Sequence, residues 1–264
     1  MKKLSLAGFA VAVGLTVGAP AQANLNVLWY NGVSDGFATA ENALATPGVG
    51  DPSSAVWSIT HWYDGSSAPS GSFNVLVIGS ASSGGSGSLL GALPTFGDRV
   101  FVTGQDADYH LTYSPGSSSF NGPRGFLRDA INWAGAGTGL GVVVLSPGIG
   151  AISLANLNIT GISSDIGAND SVLIPGAVAG FPVNNGLTSS GLSNWGTSSH
   201  DAWTSISSAW TGINTNGAGT GFVTLVSAET AAGAISGVDV PEPASIALLG
   251  MALVGIGAAR RRKA

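Results

Sequence analysis

Seven short apolar runs constrain the fold of this chain more than any other feature. They are rich in β-branched residues and lie at 25–30, 55–62, 73–78, 99–103, 141–145, 171–174 and 222–226. Most are continuously apolar rather than alternating, which is typical of strands buried on both faces of a parallel sheet. The run at 57–62 alternates in part, and this favours a strand at the edge of the sheet.

Three helical patterns fall between these runs, at 37–45, 123–134 and 201–210. The clearest begins with Pro123 and places five apolar side chains on one face: Phe126, Leu127, Ala130, Ile131 and Ala134. Strands that alternate with helices predict an α/β fold. We therefore expect a single doubly wound, mostly parallel sheet flanked by helices, with flavodoxin-like or amidotransferase-like topology.

The amino terminus has the pattern of a secretory signal peptide. Lys2 and Lys3 precede an apolar stretch at 4–17, and the A-x-A cleavage pattern follows at 21–23. We expect residues 1–23 to be removed, so that the exported chain begins at Asn24.

The carboxyl-terminal residues 241–264 form a second membrane signal. Pro241, Glu242 and Pro243 precede an uncharged apolar run at 244–259, and a basic cluster follows: Arg260, Arg261, Arg262 and Lys263. A helix of this length spans about 24 Å, against roughly 30 Å of bilayer hydrocarbon, so the predicted transmembrane helix suits transient insertion. The positive-inside bias keeps the basic tail in the cytoplasm and places the preceding chain outside. A buried core helix is the alternative, and the RRRK ending disfavours it because no acidic residue lies nearby.

The order of these three elements resembles the PEP-CTERM sorting signal of Gram-negative bacteria. The resemblance implies that an exosortase cuts near Pro241, Glu242 and Pro243, and that Arg260 to Arg262 belong to the basic end of the signal. It also implies the partners of the chain, which are the export machinery, an exosortase and, transiently, the inner membrane. The processed protein is then expected at the cell surface or in the extracellular matrix.

Residues 24–240 remain once both signals are set aside. We divide them into an ectodomain at 24–227 and a flexible stalk at 228–240, which lacks a core pattern. The chain contains no cysteine, so disulfides and thiolate chemistry are excluded. Thirteen acidic residues against three arginines give residues 24–240 a formal charge of −10. Such a charge argues against nucleic acid as a partner and suits divalent cations, neutral glycans or plain solubility.

The order of strands and helices is also similar to the class I glutamine amidotransferase-like fold and its trehalose-utilisation (ThuA-like) relatives. Residues 27–32 resemble the first strand of that fold, 99–106 the strand that runs into the nucleophile turn, and 195–201 the histidine-bearing region. The amidotransferase nucleophile is a cysteine, whereas Gln105 or Asp106 stands in its region here. Glutamine cannot act as an acyl-transfer nucleophile. The resemblance therefore implies the fold without the activity, and we predict no catalytic residue.

A polar cluster supplies the candidate metal ligands. Asp106, Asp108 and His110 are spaced by two residues, so they share a side if the segment is extended, and can converge on a cation if it is a loop. His200 and Asp201 are expected at the same sheet edge, where ligand sites of such folds lie. Together the five residues predict a site for a divalent cation, the one candidate cofactor. A solvated acidic loop beside a helix cap is the alternative.

Two tryptophans are candidates for stacking on sugar rings, because an aromatic face matches the apolar face of a pyranose. Trp195 and Trp203 flank a polar Gly/Ser stretch.

The sequence thus favours a structural or binding protein associated with exopolysaccharide in a biofilm. Two alternatives stay open. One is a secreted hydrolase that uses the Asp106 to His110 segment with His200. The other is a β-sandwich adhesin or lectin, which requires residues 123–134 to be non-helical.

Overall fold

The architecture comes from a computed structural model, which describes residues 24–31, 56–63, 66–80, 96–113, 121–145, 162–168, 171–195 and 200–227. The strands within these ranges are β1 (Leu25–Asn31), β2 (Trp57–Tyr63), β3 (Val75–Ile78), β4 (Phe96–Thr103), β5 (Leu140–Leu145), β6 (Ile162–Ala168), β7 (Val172–Leu173), β8 (His200–Ile206), β9 (Trp210–Asn216) and β10 (Phe222–Ser227). The α-helices are α1 (Ala107–Tyr113) and α2 (Pro123–Gly135). Two 3₁₀ turns lie at Gly176–Val178 and Pro182–Asn184.

Five strands form a parallel region, in the order β2-β1-β3-β5-β4. Successive side chains of these strands enter two different apolar clusters. In β1, Val27 and Trp29 belong to one cluster, and Leu28 and Tyr30 belong to the other. Burial on both faces explains why most of these runs are continuously apolar. β2 pairs with β1 alone among the described strands, in agreement with the predicted edge position.

The remaining strands form an antiparallel region that joins the first at β4. β10 pairs antiparallel with β4, β8 and β9, while β6 pairs with β8 and β7 with β9. Four of the nine pairings among the described strands are parallel. The prediction of a doubly wound, mostly parallel sheet flanked by helices is therefore wrong. The amidotransferase-like fold loses its support for the same reason, because strands outnumber the two helices of the described residues.

The error arose in the second half of the chain. Residues 201–210 were expected to form a helix, but β8 covers 200–206 and β9 begins at Trp210. Strand β6, with the sequence ISSDIGA, has too few apolar residues to show a strand pattern. These segments are strands because neighbouring strands supply their hydrogen-bond partners, a tertiary effect that overrides local pattern.

Other predictions are confirmed within the described residues. Each of the seven apolar runs coincides with a strand, and the predicted helix at 123–134 is α2. Since α2 is helical and the ten strands belong to one sheet, the β-sandwich alternative is wrong. The predicted helix at 37–45, the signal peptide, the stalk and the sorting tail lie outside the described residues. None of the helices in the described ranges is long and apolar enough to cross a membrane.

Helix α2 packs its apolar face on the parallel region. The arginines of residues 24–240 lie on this helix or beside it. Arg124 and Arg128 belong to α2, and Arg99 of β4 donates from Nη1 to the Trp133 carbonyl oxygen at 2.8 Å. Arg128 is 1% exposed, and its guanidinium carbon lies 4.8 Å from the ring centroid of Trp57. A cation at the last carbonyls of a helix also complements the negative end of its dipole. All three arginines of residues 24–240 thus lie on α2 or against it.

Candidate functional site at the carboxyl ends of β3 and β4

Buried polar residues collect where β3 and β4 end. Ser80 lies just beyond β3, and Thr103 to His110 lead from the last residue of β4 into α1. The members with at most 4% exposure are Ser80, Thr103, Gln105, Asp106, Asp108 and His110. We call Ser80, Gln105, Asp106, Asp108 and His110, with the covering ring of Trp195, the carboxyl-edge cluster. Such burial favours polar groups that find partners inside the protein, whereas Gln105 Oε1 has none among the described residues.

Asp106 and His110 form the central pair of the cluster. Because residues 107–113 are helical rather than extended or looped, residues four apart meet on one face. His110 Nε2 lies 3.1 Å from Asp106 Oδ1, and both side chains are buried. The predicted proximity of these two residues is therefore present, through helical geometry that the sequence reasoning did not foresee.

Asp108 points to a different neighbour. Its Oδ2 accepts the Ser80 backbone N–H at 2.8 Å, and its Oδ1 accepts the backbone N–H of Tyr109 at 3.0 Å. Burial raises the pKa of the Asp108 carboxyl, the hydrogen bonds from Ser80 and Tyr109 act in the opposite direction, and Asp106 adds a further raising effect. Asp108 thus ties the end of β3 to the start of α1.

Gln105 and Trp195 connect the cluster to the loop at 187–195. Gln105 Nε2 donates to the Leu192 carbonyl oxygen at 3.0 Å, and its backbone N–H donates to Thr103 Oγ1 at 3.2 Å. The Trp195 ring lies 5.6 Å from that of His110 and 6.0 Å from that of Phe126. This loop therefore covers the Asp106 and His110 pair.

The backbone of β8 approaches the cluster from the antiparallel region. The Asp201 N–H donates to the Gly104 carbonyl oxygen at 3.0 Å. A Cβ on Gly104 would collide with the Asp201 backbone, so this crossing of strands requires glycine. Asp201 is half-buried, and the side chain of His200 lies outside the described residues.

The proposed metal site is incomplete in the part of the chain that the structure describes. No group of three or more His, Cys, Asp or Glu side chains there is arranged to hold a metal ion. Asp106 pairs with His110, whereas Asp108 is turned to Ser80. A divalent cation at this edge stays a prediction that depends on His200.

The two predicted stacking residues are buried. Trp203 is 2% exposed and belongs to the apolar cluster that contains Leu28 and Tyr30. Trp195 is 8% exposed, and its Nε1 donates to the Gly191 carbonyl oxygen at 2.7 Å. Neither ring offers a face to a pyranose in this structure, because both are used in packing.

Sequence reasoning missed Ser80 and the threonine pair behind the cluster. Thr103 Oγ1 lies 3.1 Å from Thr224 Oγ1 and donates to the Val223 carbonyl oxygen at 3.3 Å. Ser80 could have been found, since it directly follows a continuous apolar strand. The arrangement as a whole can orient an imidazole with a carboxylate, the basis of a general base. At this burial, however, it serves to join β3, α1 and the 187–195 loop.

The sorting residues Pro241, Glu242, Pro243 and Arg260 to Arg262 lie outside the described ranges. A family model described as the PEP-CTERM protein-sorting motif matches residues 239–263, which confirms the predicted sorting signal. A search of curated proteins and a search of solved structures found no match for the chain.

Proposed function

We propose that this exported protein, which its PEP-CTERM motif directs to an exosortase, has a structural or binding role in exopolysaccharide outside the cell. Export through the membrane, processing by an exosortase and a surface or extracellular location follow from the motif at 239–263. That motif is the single observation that carries the proposal. The association with exopolysaccharide and biofilm is the further step that experiment must test.

The domain boundaries that we propose are consistent with the described strands. β10 ends at Ser227, where the ectodomain at 24–227 is expected to give way to the stalk at 228–240. The signal peptide at 1–23 and the sorting signal at 241–264, with its helix at 244–259 and its basic tail, complete the division. Removal of both signals leaves a chain with a formal charge of −10, which suits a hydrated matrix of neutral polymer.

Burial of the carboxyl-edge cluster favours a binding or structural role over the hydrolase alternative. A hydrolase needs its acid and base within reach of a substrate and of water. Asp106, Asp108 and His110 are at most 4% exposed, and the Trp195 ring packs against His110. These three titratable side chains of the hydrolase alternative therefore lie beneath the surface.

The first test follows the full chain in two hosts that differ in one exosortase gene. In the host with the enzyme, we expect a shortened chain at the surface or in the matrix. Without the enzyme, we expect a longer chain that stays with the inner membrane. A variant that lacks residues 241–263 serves as control, since it should be exported without membrane retention in either host.

The association with polymer is tested by growing the first host with and without its exopolysaccharide. We expect the processed protein to sediment with the matrix when polymer is present, and to appear in the medium when polymer is absent or digested. Equal retention in both conditions would contradict the exopolysaccharide role and leave export and processing untouched.

A further inference from the structure

The geometry points to a saccharide-binding cleft between the first half of β4, the end of α2 and the 3₁₀ turn at Pro182–Asn184. The cleft has a volume of about 420 Å³, which lies within the range of roughly 300–1,000 Å³ typical of small-molecule sites. We call this cleft the β4–α2 groove. The lining residues that the argument uses are Arg99, Asp129, Asn132, Trp133, Pro182 and Asn185. The inference rests on the proposed function, for which it names the site and the ligand class.

The groove combines side chains of complementary hydrogen-bonding character. Arg99 only donates, an ionised Asp129 only accepts, and the amides of Asn132 and Asn185 do both. A sugar hydroxyl both donates and accepts, so adjacent hydroxyls of one ring can satisfy such a mixed lining. An anion that met Arg99 would also meet Asp129, within a chain of formal charge −10. The lining therefore favours a neutral saccharide over an acidic one.

Arg99 is held in place with most of its donors uncommitted. Its Nη1 donates to the Trp133 carbonyl oxygen at 2.8 Å, and its guanidinium carbon lies 5.6 Å from the Trp133 ring centroid. A guanidinium has five N–H donors, and this is the one hydrogen bond that Arg99 makes among the described residues. The Trp133 ring is wedged against Phe181, with 5.6 Å between centroids. Trp133 thus positions Arg99 rather than offering a stacking face.

The amide of Asn132 and the backbone of Asn185 are also placed in advance. Trp57 Nε1 donates to Asn132 Oδ1 at 3.0 Å, which fixes the orientation of that amide. Asn185 closes its turn by donating its backbone N–H to the Pro182 carbonyl oxygen at 3.3 Å. The exposed side chain of Asn185 makes no hydrogen bond to any described residue. Groups that are already ordered lose little conformational entropy when a ligand binds.

The test measures binding by titration calorimetry with the processed protein, purified from an exosortase-bearing host. The probes are neutral gluco-, manno- and galacto-hexasaccharides, with a hexasaccharide of guluronate as the acidic comparison. We expect at least one neutral probe to bind, and the acidic probe to bind at least tenfold more weakly. Absence of binding by every neutral probe at concentrations on the order of 10 mM overturns the inference.

Two substitutions assign the binding to the groove. Asn185→Ala removes one hydrogen bond to a neutral ligand and should weaken binding by roughly three- to tenfold. Asp129→Asn removes a charged acceptor and should weaken it by roughly tenfold or more. Ser208→Ala is the control, because Ser208 is an exposed turn residue between β8 and β9 and should bind as the original chain does. If both groove variants bind as tightly as the control, the inference is wrong.

Two outcomes separate this inference from the proposed function. Saccharide binding that weakens in the groove variants supports the inference even if the protein is not retained by exopolysaccharide in culture. Retention in exopolysaccharide that is the same for Asn185→Ala and for the unsubstituted chain, together with unchanged calorimetric affinity, overturns the inference and leaves the proposed function standing. The melting temperature of each variant is measured alongside, so that loss of folding is not read as loss of binding.

Discussion

Two polar regions lie toward opposite ends of β4, and they differ in how fully their polar groups are used. In the carboxyl-edge cluster, Asp108 accepts two backbone N–H groups, Asp106 pairs with His110, and Trp195 packs over the pair. In the β4–α2 groove, Arg99 commits one N–H and the side chain of Asn185 is exposed. Both regions contain a carboxylate, a cationic or cation-forming side chain and a tryptophan. Burial and the use of hydrogen-bonding capacity, rather than residue type, separate a packing network from a candidate binding site.

The largest expected difference between the two regions comes from removing the Trp195 ring, which covers the carboxyl-edge cluster. Trp195→Ala should lower the free energy of unfolding by about 3–5 kcal/mol, because it leaves a cavity beside His110 and Phe126. Urea unfolding of the processed protein measures the change. Trp195→Phe is the matched control and should cost less, since it keeps an aromatic ring and loses the hydrogen bond to Gly191. Near-normal stability with lost saccharide binding would instead support the earlier prediction of a stacking residue.

A second test compares one glycine from each region. Gly104→Ala should cost about 2–3 kcal/mol, because the new Cβ collides with the Asp201 backbone. Gly180 also lines the cleft, and no atom lies within 4 Å of a Cβ added there, so Gly180→Ala should change stability by at most about 1 kcal/mol, in the stabilising direction. Thermal and urea unfolding of the two variants measure and compare these changes in stability. Equal effects would show that the two regions are packed alike at these glycines.

The dependence of stability on pH tests the burial of Asp108. Its folded pKa is raised above the ordinary value of 3.8, so between 3.8 and the raised value the folded state holds a proton that the unfolded state has released. The contribution to stability is complete below pH 3.8 and is lost as the pH rises through the folded pKa. The slope is at most about 1.4 kcal/mol per pH unit for one proton. Unfolding curves across this window measure it.

Asp108→Asn provides the comparison for that slope. The amide cannot titrate, and its single oxygen can still accept one of the two N–H groups from Ser80 and Tyr109. We expect stability of the variant to fall less steeply with rising pH in the same window. An identical slope in both proteins would mean that Asp108 is not the group responsible.

The smallest expected effect on stability belongs to the groove. Asn185→Ala should change the free energy of unfolding by no more than about 0.5 kcal/mol, because its exposed side chain has no hydrogen bond to a described residue. The same variant is expected to weaken saccharide binding, so stability and affinity are separated in one protein. A cost well above 1 kcal/mol in urea unfolding would place Asn185 among the structural residues and weaken the contrast with the cluster.

The parallel region could be predicted from the sequence because its strands are buried on both faces. Most of its runs are continuously apolar, as Val75–Ile78 is, and all are short enough to be strands. In the antiparallel region β7 and β10 have apolar runs, but β6, β8 and β9 could not be predicted in the same way. β9, with the sequence WTGINTN, is identified as a strand by its pairing with β10 and β7 rather than by an apolar pattern. The predicted fold class was wrong because strands such as β9 lack an apolar run and were not recognised from the sequence.

The candidate sites show the same limit. Asp106, Asp108 and His110 were found because they are close in sequence, although their helical arrangement and their burial were not foreseen. The groove was missed because Arg99, Asn132 and Asn185 are far apart in sequence and meet through the packing of β4, α2 and a 3₁₀ turn. One sequence feature could have pointed to the groove, because Arg99 is one of three cations in residues 24–240.

The concentration of those three cations on and around α2 has a consequence for survival outside the cell. Proteases of the trypsin class cut after lysine or arginine, and residues 24–240 contain no lysine. The three bonds that such a protease can attack follow Arg99, where β4 is paired within the sheet, and Arg124 and Arg128, where α2 is helical rather than in the extended form that cleavage requires. Degradation of residues 24–240 by this class therefore requires β4 or α2 to open, and the lifetime of this part of the chain against such proteases depends on how often that opening occurs.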